Sequence, residues 1–511
     1  NHVLGIDSIH QFGITGDGVL IGFIDSGFKW RKHNSLKNSK IVAEYDFINN
    51  DSITSNESND IYNQDNHGTL VISTALSNEN GKMIGISPNC SVILAKTEDL
   101  RSETGIEEDN FAAAIEWMES QGVDIINASL GYRNFDSTNF SYTYQDLDGN
   151  SALSSIYANM AVQKGIVFFN SVGNSGPDYR TLNSPADAFN VITVGSVDSN
   201  LTEVSSFSSR GPNSSGMLKP EFVAFGNKPV CANPDDSLSY IRAKGTSLTS
   251  PMLAGATALI LSVFPELNPY QIRNLLISYS DRKLNPQSSY GYGIPDYFDL
   301  LKNYDVAVSP INYYRNNNFV RVVVFIISNK EELRNEIFVR FSGQSSFNRY
   351  ELSKSEYPNL YYTDILINKF QNQPAYCYIL SQNSQIKRRL PFLEDSLLEI
   401  QPDKNFFQAG VNRNILPRSD YFENRSFIIP GIADLRLNSM IKLIILSESA
   451  EFVTFKIYDS LGRVINQQSY FSKQEGTKEI DVSIAGYNQG AYFISINKGK
   501  NTEILKFLVI N

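Results

Sequence analysis

Cysteine is scarce. Cys90, Cys231 and Cys377 are the only three in 511 residues, lie far apart and form no CxxC pair. That pattern excludes a disulfide framework and a structural zinc site, and leaves at most one disulfide with a thiol to spare. Histidine is nearly as rare. Any histidine-based chemistry must use His2, His10, His33 or His67. Positive charge is in deficit, with 44 Lys and Arg against 54 Asp and Glu and a net charge of -10. No basic cluster interleaves with aromatics, so nucleic acid is a poor main partner. No apolar run has the length of a membrane-spanning helix. No repeat of fixed period occurs. No leader precedes the opening "NHVLGIDSIH", which reads as a chain that starts after processing.

What is present describes a globular protein of several domains. The length exceeds one typical core, and apolar residues make up 41%. Over the first 300 residues strand and helix signals alternate. "VLIGFID" (19–25), "SVILAKT" (91–97), "VDIINAS" (123–129), "GIVFFNSVGN" (165–174) and "VITVGSV" (191–197) are short apolar runs suited to buried parallel strands. "IEEDNFAAAIEWMES" places acids in its first turn and apolar residues at helical spacing, which completes a βαβ unit. The prediction is an α/β domain, a doubly wound parallel sheet with helices on both faces. The pattern closes near "YGYGIPDYFDLL" (290–301). Beyond it, "VRVVVFIIS" (320–328) and "LYYTDILI" (360–367) predict a β-rich middle domain over 303–403. After a linker at 404–424, the strands "FVTFKIYDSLGRVI", "GAYFISI" and "ILKFLVIN" predict a β-sandwich over 425–511.

In open parallel sheets reactive groups gather at the carboxyl ends of the strands. The first strand ends in Asp25-Ser26-Gly27. His67 leads into an apolar helix, "NHGTLVISTAL". "NASLG" and "VGNSG" end two more strands with Ser129 and Asn174, and "GTSLTSPMLAGATALI" sets Ser247 at a helix start. Each feature alone has an ordinary structural reading as a turn or a helix cap. Together Asp25, His67 and Ser247 supply a nucleophilic triad. A serine hydroxyl needs a base, His67 can take its proton near neutral pH, and Asp25 can fix the imidazole tautomer. Asn174 and the free backbone N–H of Ser247 can stabilise an oxyanion.

These motifs resemble those of the subtilisin-like serine proteases, the subtilases. "FSSRGPNSSGMLKPEFVAFG" (207–226) and "YGYG" (290–293) extend the resemblance over roughly residues 1–302. It implies a subtilisin-like fold, Asp25, His67 and Ser247 as triad, and Asn174 as oxyanion donor. It implies that Ser129-Leu130-Gly131 pairs with substrate backbone, and that a prosegment has been removed. The sequence departs from the family pattern at Leu248, Met252, Leu70 and Phe225, none of them a catalytic position. Tyr132 stands where a second glycine is usual, which alters one wall of the specificity pocket. Ser35 stands where many subtilases place a calcium-binding Asp, and the loop 76–85 is changed in length. The resemblance therefore implies no metal at the usual strong calcium site unless Glu79 turns inward. No cofactor is required. "DLDGN" (146–150) offers Asp146 and Asp148 to calcium, although two acids in such a run are ordinary turn residues.

The insert after Gly131 is expected to edge the cleft with Tyr132, Phe135, Phe140, Tyr142 and Tyr144. The last 85 or so residues resemble the C-terminal sorting domains of type IX secretion cargo, through "FKIYDSLGRVI" and "GYNQGAYFISI". That implies a secretion machinery as partner and an extracellular or cell-surface location. The alternative for this segment is a generic accessory sandwich. The reading for the whole chain is a secreted serine endopeptidase acting on protein or peptide substrates through an acyl-enzyme. The alternative is a catalytically weak, protease-like binding or adhesion protein of the cell surface. An esterase is disfavoured because no Gly-x-Ser-x-Gly elbow surrounds Ser247.

Overall fold

The computed structural model describes residues 4–61, 63–138, 141–316, 318–330, 332–391 and 397–406. Of the tail it describes 427–429, 432–434, 440–447, 451–459, 463–472, 476–488, 490–498 and 501–510. The chain divides into two compact units. The first is Asn1–Ser309 with the short pieces Ile327–Glu331 and Gln408–Gly410. The second is Pro310–Ile326, Glu332–Phe407 and Val411–Asn511.

The first unit is built on seven strands: β1 (Leu20–Asp25), β2 (Lys40–Asp46), β3 (Ser91–Lys96), β4 (Ile125–Ala128), β5 (Val167–Ser171), β6 (Ile192–Val197) and β7 (Phe222–Phe225). Their order is β2-β3-β1-β4-β5-β6-β7, and every neighbouring pair is parallel. β4, β5 and β6 are buried along their whole length, as strands covered on both faces must be. The predicted strands are all present. The two edge strands, β2 and β7, carried no clear signal. β2 is only half-buried and holds Lys40 and Glu44, and β7 has four residues.

Four helices position the site: α1 (Asn66–Leu76), α2 (Ile106–Ser120), α3 (Leu153–Gln163) and α4 (Thr249–Leu261). α2 and α3 pack together on one face, with Phe111, Ile115 and Met118 against Ile93, Ile126 and Phe168 of the sheet. α1 packs against α4, which contacts β4, β5, β6 and β7. α4 is apolar all round, and only Met252 among its residues is not buried.

Among the described residues, the strand pairs within the second unit are antiparallel apart from one parallel pair in the tail, Ile432–Asp434 with Asn501–Ile510. Phe319–Ile327 pairs with Leu360–Leu366, and Arg334–Arg340 pairs with Asn348–Glu351 and Ala375–Gln382. In the tail, one sheet runs Phe427–Ile429, Met440–Ser447, Gly476–Ser483. The other runs Ile432–Asp434, Asn501–Ile510, Gly490–Lys498, Glu451–Tyr458, Val464–Ser472. Every second residue faces the core: Ile441, Leu443 and Ile445, then Val453, Phe455 and Ile457, then Tyr492, Ile494 and Ile496.

Candidate active site

β1 delivers Asp25 to the carboxyl edge of the sheet, where its side chain is fully buried. Its Oδ1 accepts from the Ser26 amide at 2.8 Å and from His67 Nδ1 at 2.8 Å. His67 can reach it because α1 begins hard against the end of β1. A Cβ on Gly68 would overlap the Gly27 carbonyl oxygen and lie 2.8 Å from the Phe28 ring. Only glycine allows that approach. The His67 side chain remains 43% exposed, so the ring edge opposite Asp25 is accessible. Desolvation opposes the imidazolium, but the charge and hydrogen bond of Asp25, with Glu98 beyond, outweigh it and raise the His67 pKa.

Ser247 lies in a short 3-10 turn, Thr246–Leu248, immediately before α4. That turn packs against α1, the helix that carries His67. The Ser247 hydroxyl donates to the Ser129 carbonyl at 3.4 Å rather than to His67, and the Ser129 hydroxyl donates back to the Ser247 carbonyl at 2.9 Å. The other small hydroxyl residues of this stretch have separate tasks. Thr249 donates to the Thr246 carbonyl, and Ser250 donates to Asn127 Oδ1 on β4 at 2.6 Å. The Thr246 amide donates to Asn174 Oδ1 at 2.9 Å, and its hydroxyl donates at 3.1 Å. With its oxygen so held, Asn174 keeps its side-chain N–H groups without an acceptor among the described residues, in an exposed position.

Asp25, His67, Ser247 and Asn174 therefore share one edge of the sheet, and Ser129 is bonded directly to Ser247. Leu130 is half-buried with its carbonyl held by Asn170 Nδ2 at 3.1 Å, and Gly131 is exposed.

The expectation for the insert is corrected. Tyr132 and Phe135 do not edge a cleft. Both are buried in the core between the sheet and α2, with Tyr132 edge-on to Phe111 at 5.7 Å. The backbone of Tyr132 exchanges hydrogen bonds with Ser184 at 2.7 and 3.0 Å, which turns its ring inward. Tyr142 donates to Glu108, and Tyr144 donates to the Pro212 and Asn213 carbonyls. Phe140 lies outside the described residues. Burial of large rings outweighs their use at a rim.

One neighbour of the site was missed. Glu98 follows β3 by two residues, and β3 lies beside β1, with Lys96 opposite Asp25. Its carboxyl is buried and accepts from Thr97 Oγ1 and Tyr132 Oη at 2.7 Å each. Burial pushes its pKa up to about 7 against those hydrogen bonds, with further repulsion from Asp25 and Glu103. Glu98 lies beyond the last residue of its strand, so no strand-end signal marks it in the sequence.

Residues 16–293 match the Subtilase family model, and residues 438–511 match the model of a secretion system C-terminal sorting domain. Subtilisin DY of Bacillus licheniformis is 33% identical over 56% of this chain and 92% of its own length. Subtilisin-like protease SBT6.1 of Arabidopsis thaliana is 29% identical over 60% of this chain and 28% of its own. Serine protease AprX of Bacillus subtilis (strain 168) is 28% identical over 55% of this chain and 65% of its own.

Proposed function

The chain belongs to the subtilase family, and from that premise we propose that it is a serine endopeptidase acting through Asp25, His67 and Ser247. Its sorting tail marks it for export by type IX secretion to the cell surface or beyond. The observation that supports the triad most is the 2.8 Å bond from His67 Nδ1 to a wholly buried Asp25. A donor at Nδ1 leaves Nε2 unprotonated and able to act as base.

In the proposed reaction Ser247 turns about χ1 from the Ser129 carbonyl towards His67. Catalytic hydrogen bonds of this kind commonly tighten only with substrate present. His67 takes the hydroxyl proton as Oγ attacks the carbonyl carbon. Asn174 Nδ2 and the Ser247 amide receive the oxyanion. His67 then returns the proton to the departing amine, leaving an acyl-Ser247 ester that water hydrolyses by the same steps. Ser247→Ala is expected to fold normally and to cleave casein at least about 1,000-fold more slowly. A fluorophosphonate should label wild-type Ser247 and not the variant. Undiminished cleavage by the alanine variant would overturn the reading.

We also propose that the loop 76–85 holds no calcium. Two of its carbonyls and the neighbouring Ser35 hydroxyl are already engaged: Gly85 N–H donates to the Ser77 carbonyl, Lys82 N–H to the Glu79 carbonyl, and Ser35 Oγ meets His33 Nδ1 and Ser77 Oγ. The Glu79 carboxylate pairs with Lys82 and accepts from Tyr240. Asp146 and Asp148 cap their own turn through Thr143, Asn150 and Ser151. Chelation by EGTA is expected to leave the melting temperature unchanged. A fall that a deletion within 79–83 abolishes would show a calcium site there.

A further inference from the structure

The second unit carries a cavity of about 400 Å³ whose lining sets cations beside aromatic rings. It lies on one face of the sheet formed by Arg334–Arg340, Ala375–Gln382 and Lys387–Leu390. Directly opposed residues share a face. The register therefore puts Phe338 with Tyr378, Arg340 with Tyr376, Leu380 with Arg389 and Gln382 with Lys387 on that side. The alternate residues Ile337, Val339, Cys377 and Ile379 point the other way and are fully buried. One face of the sheet is core. The other presents Arg340, Lys387 and Arg389 around Phe347, Tyr378, Leu380 and Leu397.

The cations of this sheet fall into two groups. Arg334 and Arg349 both meet the buried Glu336 carboxylate. Arg340 and Lys387 have no carboxylate partner among the described residues, and no described carboxylate lines the cavity. The Arg340 guanidinium lies over the Phe347 ring at 5.2 Å, and Phe347 stands edge-on to Tyr378, also at 5.2 Å. Stacking fixes the plane of a guanidinium and leaves its N–H edge to meet an oxyanion. Arg389 is already engaged, since it donates to the Pro391 carbonyl and covers the Tyr378 ring at 4.4 Å. In a chain whose acids outnumber its bases, 54 to 44, a cavity lined by cations and no described acid gives a local field that draws anions.

The rest of the lining narrows the class of anion. Tyr378 is sandwiched between Phe338 on one neighbouring strand, parallel to it at 4.8 Å, and Arg389 on the other. A ring so covered offers no free face on which a base or a sugar could stack. Leu380 and Leu397 supply aliphatic surface instead, which suits the apolar side chains of a peptide. Arg340 lies opposite Tyr376 and Lys387 opposite Gln382, to either side of Tyr378 along its strand. Two carboxylates of one extended ligand can meet them, with apolar groups between. We propose that this face is an exosite that binds acidic segments of protein substrates, with carboxylates at Arg340 and Lys387 and apolar side chains over Leu380 and Leu397. The word substrate rests on the reading of the chain as an endopeptidase.

Binding is measured first on the full chain carrying Ser247→Ala, so that the probe is not cut. The probes are fluorescein-labelled peptides that repeat Glu-Leu-Gly or Gln-Leu-Gly, followed by fluorescence anisotropy. The Glu peptide is expected to bind at least about 10-fold more tightly, and the pair Arg340→Gln with Lys387→Gln should abolish that preference. Lys387→Arg should keep it. An unchanged melting temperature shows that the variants fold. Equal binding of the two peptides, or a preference that survives the double variant, overturns the proposal. So does polygalacturonate that displaces the Glu peptide and binds more tightly through the same two side chains, which would make the site one for acidic glycans. In the chain with Ser247 intact, the double variant should raise KM for casein, an acidic protein. It should leave kcat, and the cleavage of a short uncharged peptide, unchanged. An unmoved KM for casein overturns the exosite. The two readings fail separately. A chain that labels with fluorophosphonate and cleaves the short peptide, yet shows no Glu preference, sinks only the exosite. A chain that binds the Glu peptide but neither labels nor cleaves sinks the protease reading.

Discussion

At the scale of single residues, Glu98 is the informative case. It is a buried acid close enough to Asp25 and His67 to act on both through charge. The base form of His67 is the neutral one, and anions at Asp25 and Glu98 favour the protonated form. Activity should therefore rise with pH through a midpoint above the ordinary histidine range. Glu98→Gln removes one of those anions and should move the acid limb of kcat/KM to lower pH, while the limiting rate at pH 9 stays within about twofold. The sign for stability runs the opposite way to a salt-bridged carboxylate. The folded-state pKa lies above the unfolded one, so the native state holds more protons and Glu98 costs stability as pH rises from about 4.5 to about 7. Glu98→Gln should unfold at higher urea than the wild type at pH 8 and at nearly the same urea at pH 4. A variant with an unmoved acid limb would show that Glu98 does not couple to the base.

At the scale of elements, the sheet carries an internal ion cluster. Lys96 ends β3 with its ammonium fully buried, 2.7 Å from Asp46 at the end of β2 and 2.6 Å from Asp60 in the following loop. Desolvation alone would depress its pKa, but the two carboxylates outweigh this and raise it. Asn49 Nδ2 reaches Asp46, Glu57 and Asp60 from the same loop. Those three carboxylates converge closely enough to hold a cation, and the Lys96 ammonium already meets two of them. The cluster ties the edge strand β2 and the loop 46–60 to the strand beside Asp25. Lys96→Met would leave two buried carboxylates without their counter-charge. We expect a loss of about 3–5 kcal/mol, read as a lower urea midpoint at pH 7 and partly restored at pH 4, where the acids can protonate. A change below about 1 kcal/mol would mean that water reaches the acids.

At the scale of the whole molecule, the motifs for catalysis and for export occupy separate stretches, 16–293 and 438–511. The tail also has its own alternating core. Deleting 438–511 should leave purified protein with unchanged casein cleavage and unchanged fluorophosphonate labelling. In a host with type IX secretion the truncated chain should be retained inside the cell, while the full chain appears outside. Appearance of the truncated chain in the medium at the full-length level would show that the tail does not direct export.

Much of the site was legible from sequence because its residues are tied to local signals. Asp25 ends a short apolar strand, His67 and Ser247 precede apolar helices, and Asn174 follows the strand "GIVFFNS". Short-range periodicity marks such positions, and parallel strands send their carboxyl ends to one edge. What the tertiary structure alone decided depends on contacts between distant segments. Strand order places β3 beside β1, and only then does the charge of Glu98 act on Asp25 and His67. The Tyr132 ring turned inward because its backbone pairs with Ser184, 52 residues away. Such pairings are set by packing and by the satisfaction of buried polar groups, and these act between segments rather than along the chain.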